Sequence, residues 1–381
     1  MNLNRVFFLG TGGGNDVFSC TLAAISLWKL GWRWKECAFA GVLSPFHRHD
    51  VIATDIAGAF ITQPDSGRFI NRKDKELKIG FVDAAVAALV RDSSAYNARS
   101  VYGLSLSRGT TGLSETLKQL SNSFDYFVLV DIGGDCFYGG ERDRHVLSPM
   151  FDAMAIKAFI DSGVPGLLYE AGPGTDGELE PEAIEQSLLI AEAESLPMLR
   201  ESMIEWEGLY NKWISPVRQG RTVPVTIQAF NSPDEILTLT YRARAHLGAT
   251  RLYSNFTHRI KTALCKNFYL IDPRKIQNPF MVACSDPLDW FQKTQVVQCR
   301  TNCEPNLEYL HMNGSVYQFL TPSPLFSRDD RLGLITQGLR EMREGSCDAV
   351  WMFEDDEKVI CESLGSFSLE KKSGLIEVSN F

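Results

Sequence analysis

Three times in the first half of this chain an apolar run of strand length ends in glycines and acids, then gives way to a helical pattern. "RVFFL" leads into "GTGGGND" and "VFSCTLAAISLWKL"; "YFVLVDI" leads into "GGDCFYGGE" and "SPMFDAMAIKAFIDSG"; "GLLYEA" leads into "GPGTDGE" and "LEPEAIEQSLLIAEA". A strand that is apolar on both faces must be covered on both faces, and a repeated strand–turn–helix unit does this as a parallel sheet between helix layers. The expected fold is therefore α/β: a doubly wound, mostly parallel sheet, Rossmann-like and three-layered, with additional C-terminal α/β elements.

Between these units "CAFAGVL" and "SVYGLSLS" read as strands, and "TGLSETLKQLSNSF" reads as a helix with Thr and Ser at capping positions. The second half is less regular. A helical pattern runs from about residue 195 to 213, and "SPVRQGRTVP" reads as a linker or long loop. "PDEILTLTYRARAHLG" and "LGLITQGLREMREG" read as helices, "MVACSD" and "SVYQFL" as strands, and "CDAVWMFEDDEKVICES" as a hairpin or strand pair. The organisation expected is one large domain over 1–381, with a division into 1–213 and 223–381 as the alternative.

The 381 residues, 44% of them hydrophobic, suffice for a large core. A formal charge of −9, with no run of Lys or Arg, argues against a nucleic-acid binder held by phosphate neutralisation. Neither a signal peptide nor an apolar run of about 18 residues is present, so a cytoplasmic protein with no membrane partner is expected. The partner expected is a small molecule; the sequence sets no oligomeric state. The nine cysteines read as buried, reduced thiols. Cys299 and Cys303 in "CRTNC", and "HRHD" at His47 to Asp50, are weak metal signals that read better as loop chemistry.

In a doubly wound sheet, ligands sit beyond the carboxyl ends of the strands. All three Gly-acid turns fall there. The first holds Gly12, Gly13, Gly14, Asn15 and Asp16; the second Asp131, Gly133, Gly134, Asp135 and Glu141; the third Gly174, Asp176, Gly177 and Glu178. Glycines let backbone N–H groups approach a ligand, and a helix start favours an anion. Carboxylates beside an anion repel it, unless a divalent cation such as Mg²⁺ bridges the two. Asp16, Asp131, Asp135 and Glu141 are the catalytic candidates, with Asp131 and Asp135 as the metal ligands. The glycines and Asn15, together with Asp176 and Glu178, are candidate ligand contacts. The same acids also suit ribose hydroxyls, metal-free base catalysis, or plain turn and helix-start chemistry.

Other signatures are missing. "GTGGGND" places Asn15 where G-x-G-x-x-G requires its third glycine, no Gly-Lys-Ser/Thr follows, and there is no G-x-S-x-G elbow. Cys136 has no obvious histidine partner for a nucleophile. "SRGTTGLSE" offers Arg108, Thr110 and Thr111 to an anion or a hydroxyl-rich ligand, and in "YSNFTHRIK" a helix would bring Asn255, His258 and Lys261 to one face.

"GGGNDV" at Gly12 to Val17, "DIGGDCFYGGE" at Asp131 to Glu141, "SPMFDAM" around Asp152 and "GPGTDGEL" at Gly172 to Leu179, taken in order, resemble the family called domain of unknown function 1152. The resemblance covers roughly the first half of the chain. It implies an α/β fold with a shared pocket, and it names no reaction. The function expected is an enzyme that binds a small phosphorylated or ribosylated metabolite, a nucleotide or nucleoside derivative, and cleaves or transfers a group as a hydrolase or transferase. A non-catalytic sensor using the same pocket is the alternative, and a nicotinamide-dependent oxidoreductase is disfavoured.

Overall fold

The computed structural model describes residues 1–12, 16–43, 53–56, 59–62, 86, 89–90, 95–106, 108–139, 149–216, 222–247, 250–285, 289 and 293, and strands within 310–320, 349–353 and 368–379. The first half builds as its periodicity predicts. Strand β1 (Asn2–Gly10) feeds helix α1 (Asp16–Lys29), which returns to β2 (Arg33–Leu43). The short β3 (Ala53–Ile56) and β4 (Ala59–Thr62) precede β5 (Ala98–Ser105), helix α2 (Gly109–Leu120) and β6 (Tyr126–Ile132). Helix α3 (Pro149–Ser162) then leads to β7 (Gly166–Ala171), α4 (Pro181–Ile190), β8 (Glu194–Pro197) and α5 (Arg200–Leu209). A π-turn over Tyr210–Ile214 and helix α6 (Thr222–Asn231) follow.

β5, β2, β1, β6 and β7 lie side by side in that order, all parallel. This is the doubly wound order, and it places a topological switch point between β1 and β6, where the chain turns from building one way to building the other. β4 and β3 extend one edge antiparallel. At the other edge β11 (Asn267–Ile271) runs antiparallel between β7 and β8 and completes nine strands.

Alternation along the strands sorts the core into two layers. Phe7, Leu9, Phe127, Leu129 and Leu168 face one way, with residues of α2, α3 and α4 packed on them. Val6, Phe8, Val128, Val130 and Tyr169 face the other way, toward α1 and α5. α1 is buried from Val17 through Leu27, and Phe18 stacks on Trp206 of α5 at 5.4 Å between ring centroids. Cys20, Cys37, Cys136, Cys265 and Cys284 are buried free thiols, as expected. Among the described residues no helix is long and apolar enough to cross a membrane.

Several readings of the second half are corrected. "PDEILTLTYRARAHLG" is not a helix: it contains β9 (Ile236–Leu247), paired antiparallel with β10 (Thr250–Lys261) as a two-stranded ribbon. Leu237, Leu239, Tyr241, Ala243, Ala245 and Leu247 alternate with Thr238, Thr240, Arg242, Arg244 and His246, a two-residue period that a helix cannot use. "YSNFTHRIK" lies in β10, so the helical face read for it does not form. "MVACSD" is irregular rather than a strand over its described residues, 281–285. A short helix α7 (Thr262–Cys265) precedes β11.

β12 (Leu310–Met312), β13 (Ser315–Leu320), β14 (Ala349–Phe353), β15 (Ser368–Lys372) and β16 (Leu375–Ser379) form a separate mixed sheet in the order β12-β13-β14-β16-β15. "SVYQFL" is thus a strand, as read. "LGLITQGLREMREG", "HRHD" and Cys299 with Cys303 lie outside the described residues.

Candidate functional site

Parallel pairing aligns Asp131 of β6 directly with Glu170 of β7, so both acids project from the same face, two residues beyond Leu129 and Leu168 in the same inward rows. Thr11, just past the end of β1, joins them: its N–H donates to the Val130 carbonyl at 2.9 Å and its hydroxyl donates to Asp152 Oδ1. Asp152 stands in the first turn of α3, and Asp16 opens α1. Two helix starts therefore point their positive ends at the carboxyl ends of β1 and β6, the switch point of the sheet.

One carboxylate oxygen each from Asp16, Asp131 and Asp152 lie within 4.8 Å of one another. Asp131 also belongs to a second such group with Cys136 and Glu170, and Asp135, Asp176 and Glu178 form a third. The second and third turns are tied together, since the Gly174 N–H donates to the Gly133 carbonyl at 2.5 Å. Asp16, Asp131, Asp135, Asp176 and Glu178 from the three turns thus gather at one end of the sheet.

The glycines turn out to serve the carboxylates as much as any ligand. A Cβ at Gly12 would overlap Asp16 Oδ2 and stand 3.1 Å from Asp152 Oδ2, so the missing side chain is the space these two acids fill. Gly133, at φ +122°, does the same for Asp176, whose Cβ and Oδ2 lie 2.8 and 2.9 Å from the corresponding position. Gly12→Ala should therefore displace the Asp16 carboxylate, a movable side-chain end, with little loss of stability. The melting curve measured by calorimetry is expected to stay cooperative, with a midpoint close to that of the wild type.

Electrostatically the site is poised. Asp131, Asp152, Glu170, Asp176 and Glu178 are buried, and among the described residues no Lys or Arg is buried with them. Burial, then the charges of Asp131 and Asp16, hold the Asp152 carboxyl well above the usual range against the hydrogen bond from Thr11. Burial and the neighbouring charges of Asp152 and Asp131 do the same to Asp135, and burial with the charge of Asp131 raises Glu170. Burial, then Asp131 and Glu170, push the Cys136 thiol up, which disfavours it as a free nucleophile. Such a cluster resolves its repulsion by keeping protons or by binding cations.

Sequence reasoning missed Asp152 and Glu170 as site residues, and Thr11 with them. The signal was available: "LLYEA" and "MFDAMAI" each set one acid among residues destined for the core. Arg108 and Thr110 are committed elsewhere. Arg108 precedes α2 and pairs with Glu115 at 3.1 Å, while the Thr110 hydroxyl accepts from the Cys284 N–H at 3.0 Å and Thr111 donates to the Cys284 carbonyl at 2.7 Å. The residue at the N-cap of α2 is Arg108, without a side-chain cap, so the capping role read for Thr and Ser does not arise. Gly177 takes φ +82° in the third turn, and Gly134 φ +99° in the second. Gly13, Gly14, Asn15 and Glu141 lie outside the described residues.

Residues 54–205 match the family model described as "Protein of unknown function (DUF1152)". Over this stretch the chain is similar to the DUF1152 family. The matched region carries the second and third turns together with Asp152 and Glu170, while Gly12 and Asp16 precede it. No curated protein and no solved structure matches the chain.

Proposed function

We propose that this protein is a divalent-metal-dependent enzyme acting on a small phosphorylated or ribosylated metabolite, a nucleotide or nucleoside derivative, as a hydrolase or transferase. The observation that carries the reading is the convergence of Asp16, Asp131 and Asp152 at the switch point, each offering a carboxylate oxygen within 4.8 Å of the others. Three hard oxygen donors suit Mg²⁺ or Mn²⁺, ions that keep open positions for water and substrate phosphate. The bound ion would supply charge neutralisation for a phosphate and acidify a coordinated water.

The chain's own residues supply the rest. Helix starts at Asp16 and Asp152 orient backbone dipoles toward an anion held there. Asp135, half-buried with its carboxyl pushed upward by burial and the charges of Asp152 and Asp131, is suited to give or take a proton. Asp176 and Glu178, grouped with it, would accept hydrogen bonds from ribose hydroxyls in this reading.

The test is a thermal-shift screen of nucleotides, nucleosides and sugar phosphates with and without Mg²⁺ or Mn²⁺, followed by assays for phosphate or base release. Cation alone should raise the midpoint, and the ligand should add to it only when the cation is present. Ligand binding indifferent to cations, or full turnover by Asp16→Asn and Asp152→Asn, contradicts the reading.

A further inference from the structure

Asp131 has two carboxylate oxygens and takes part in two groups of ligand atoms that differ in chemistry. Toward Asp16 and Asp152 the donors are all oxygen; toward Glu170 and Cys136 they include a sulfur. The Cys136 thiol is buried, its Sγ 4.0 Å from Glu170 Oε2, and its own N–H donates to Asp131 Oδ2 at 3.4 Å. The position is held from outside by Asn278, whose Nδ2 donates to the Cys136 carbonyl at 3.3 Å.

Glu170 gives an independent sign that something besides protein belongs there. It is fully buried, and Oε1 of its carboxylate has no hydrogen-bond partner among the described residues. The Cys136 thiol donates to Oε2, which leaves Oε1 for a proton shared with Asp131 or for a cation. A buried polar atom left unsatisfied is otherwise costly.

We propose that Asp131, Cys136 and Glu170 bind a second divalent cation beside the one at Asp16 and Asp152, with Asp131 shared between them, and that this second ion is of the zinc class. This deepens the metal-dependent reading above and rests on it. A thiolate among the ligands selects Zn²⁺ or Co²⁺ and is a poor donor to Mg²⁺, whereas the all-oxygen set has the reverse preference. Three protein ligands leave a position for water, the pattern of a catalytic rather than a structural zinc site. Charge supports two ions over one. Asp16, Asp131, Asp152, Glu170 and a Cys136 thiolate carry five negative charges, which one divalent ion leaves at three and two leave at one. Paired metal sites of this kind clamp the attacking and leaving oxygens of a phosphoryl or acyl transfer.

The probe is Co²⁺ titrated into the full chain, read by absorbance and by elemental analysis after gel filtration. Two Co²⁺ per chain are expected, with a near-ultraviolet thiolate-to-cobalt charge-transfer band. Cys136→Ser should remove the band and one equivalent of metal while Mn²⁺ binding at the other set persists; Asp16→Asn should keep the band. Glu170→Gln, which preserves volume, should keep the band but weaken Co²⁺ binding at least about tenfold, and it serves where Cys136→Ser fails to fold. A single Co²⁺ without a thiolate band, alongside normal Mn²⁺ binding, overturns this proposal and leaves the first reading standing. A thiolate band with no Mg²⁺ or Mn²⁺ bound at Asp16 and Asp152 overturns the first reading instead.

Discussion

Asp131→Asn is expected to abolish stabilisation by divalent cations and, at the same time, to make the metal-free protein more stable. Asp131 contributes to two of the three ligand groups, so its loss removes a charged ligand from both. With Mn²⁺ at about 100 times its dissociation constant the wild-type chain is expected to gain about 2.7 kcal/mol, and the variant almost none of it. The metal-free effect has the opposite sign because the Asp131 charge is among the causes that raise Asp152, Glu170 and Cys136. Asparagine keeps the shape and an oxygen for the Cys136 N–H while relieving that repulsion.

The pH dependence follows from the same shifts. In the unfolded chain carboxyl groups ionise near about pH 4, whereas the folded protein holds Asp135, Asp152 and Glu170 protonated to higher pH. The folded state therefore binds more protons, and metal-free stability falls as pH rises above about 4 and through the raised folded values. A cation at the proposed site would compete with those protons, so its stabilising effect is expected to grow over the same range. Calorimetric melts at a series of pH values, with and without Mn²⁺, should show a falling midpoint for the metal-free wild type and a shallower fall for Asp131→Asn. A variant that answers Mn²⁺ as the wild type does would place the cation elsewhere.

What could be read from the sequence divides along physical lines. The parallel sheet was legible because "RVFFL", "YFVLVDI" and "GLLYEA" are apolar without alternation, and each is followed by a turn and a helical pattern. Asp16, Asp131, Asp135, Asp176 and Glu178 were legible because strand ends in such a sheet converge. Asp152 and Glu170 were not, because a rule that looks for acids in turns passes over an acid set inside a strand or a helix. Their partners arrive from strands and helices remote in sequence, Glu170 beside Asp131 and Asp152 beside Thr11. The ribbon of β9 and β10 was misread for a different reason. Its alternation of Leu and Ala with Thr and Arg holds good helix formers, and the period of two had to outrank the propensity.

The roles of the glycines separate by substitution, and Gly10→Ala should be the most damaging change in the first turn. A Cβ there would overlap the carbonyl carbon of Asp16 and lie 2.6 Å from its oxygen and 2.7 Å from the Val17 nitrogen. These are backbone atoms of the first turn of α1, a helix buried along its length and packed on β1, β2 and β6, so no side chain can swing aside to make room. Overpacking of a core commonly costs about 1–3 kcal/mol, and a clash that must move a buried helix belongs at or beyond the upper end, about 3 kcal/mol or more. The control is Gly208→Ala in α5, where nothing lies within 4 Å of the added carbon and helix propensity should return about 0.5–1 kcal/mol. Urea denaturation of Gly10→Ala, Gly12→Ala and Gly208→Ala should give a large loss, little change and a gain. Cation affinity should fall in the first two, because β1 is brought against the start of α1 at Gly10 and the Asp16 carboxylate is seated at Gly12. Equal stability for Gly10→Ala and wild type would mean that α1 does not press on the end of β1. The contact that sets Asp16 opposite Asp131 and Asp152 would then be lost, and with it the steric reason for a glycine-rich turn beside an acid.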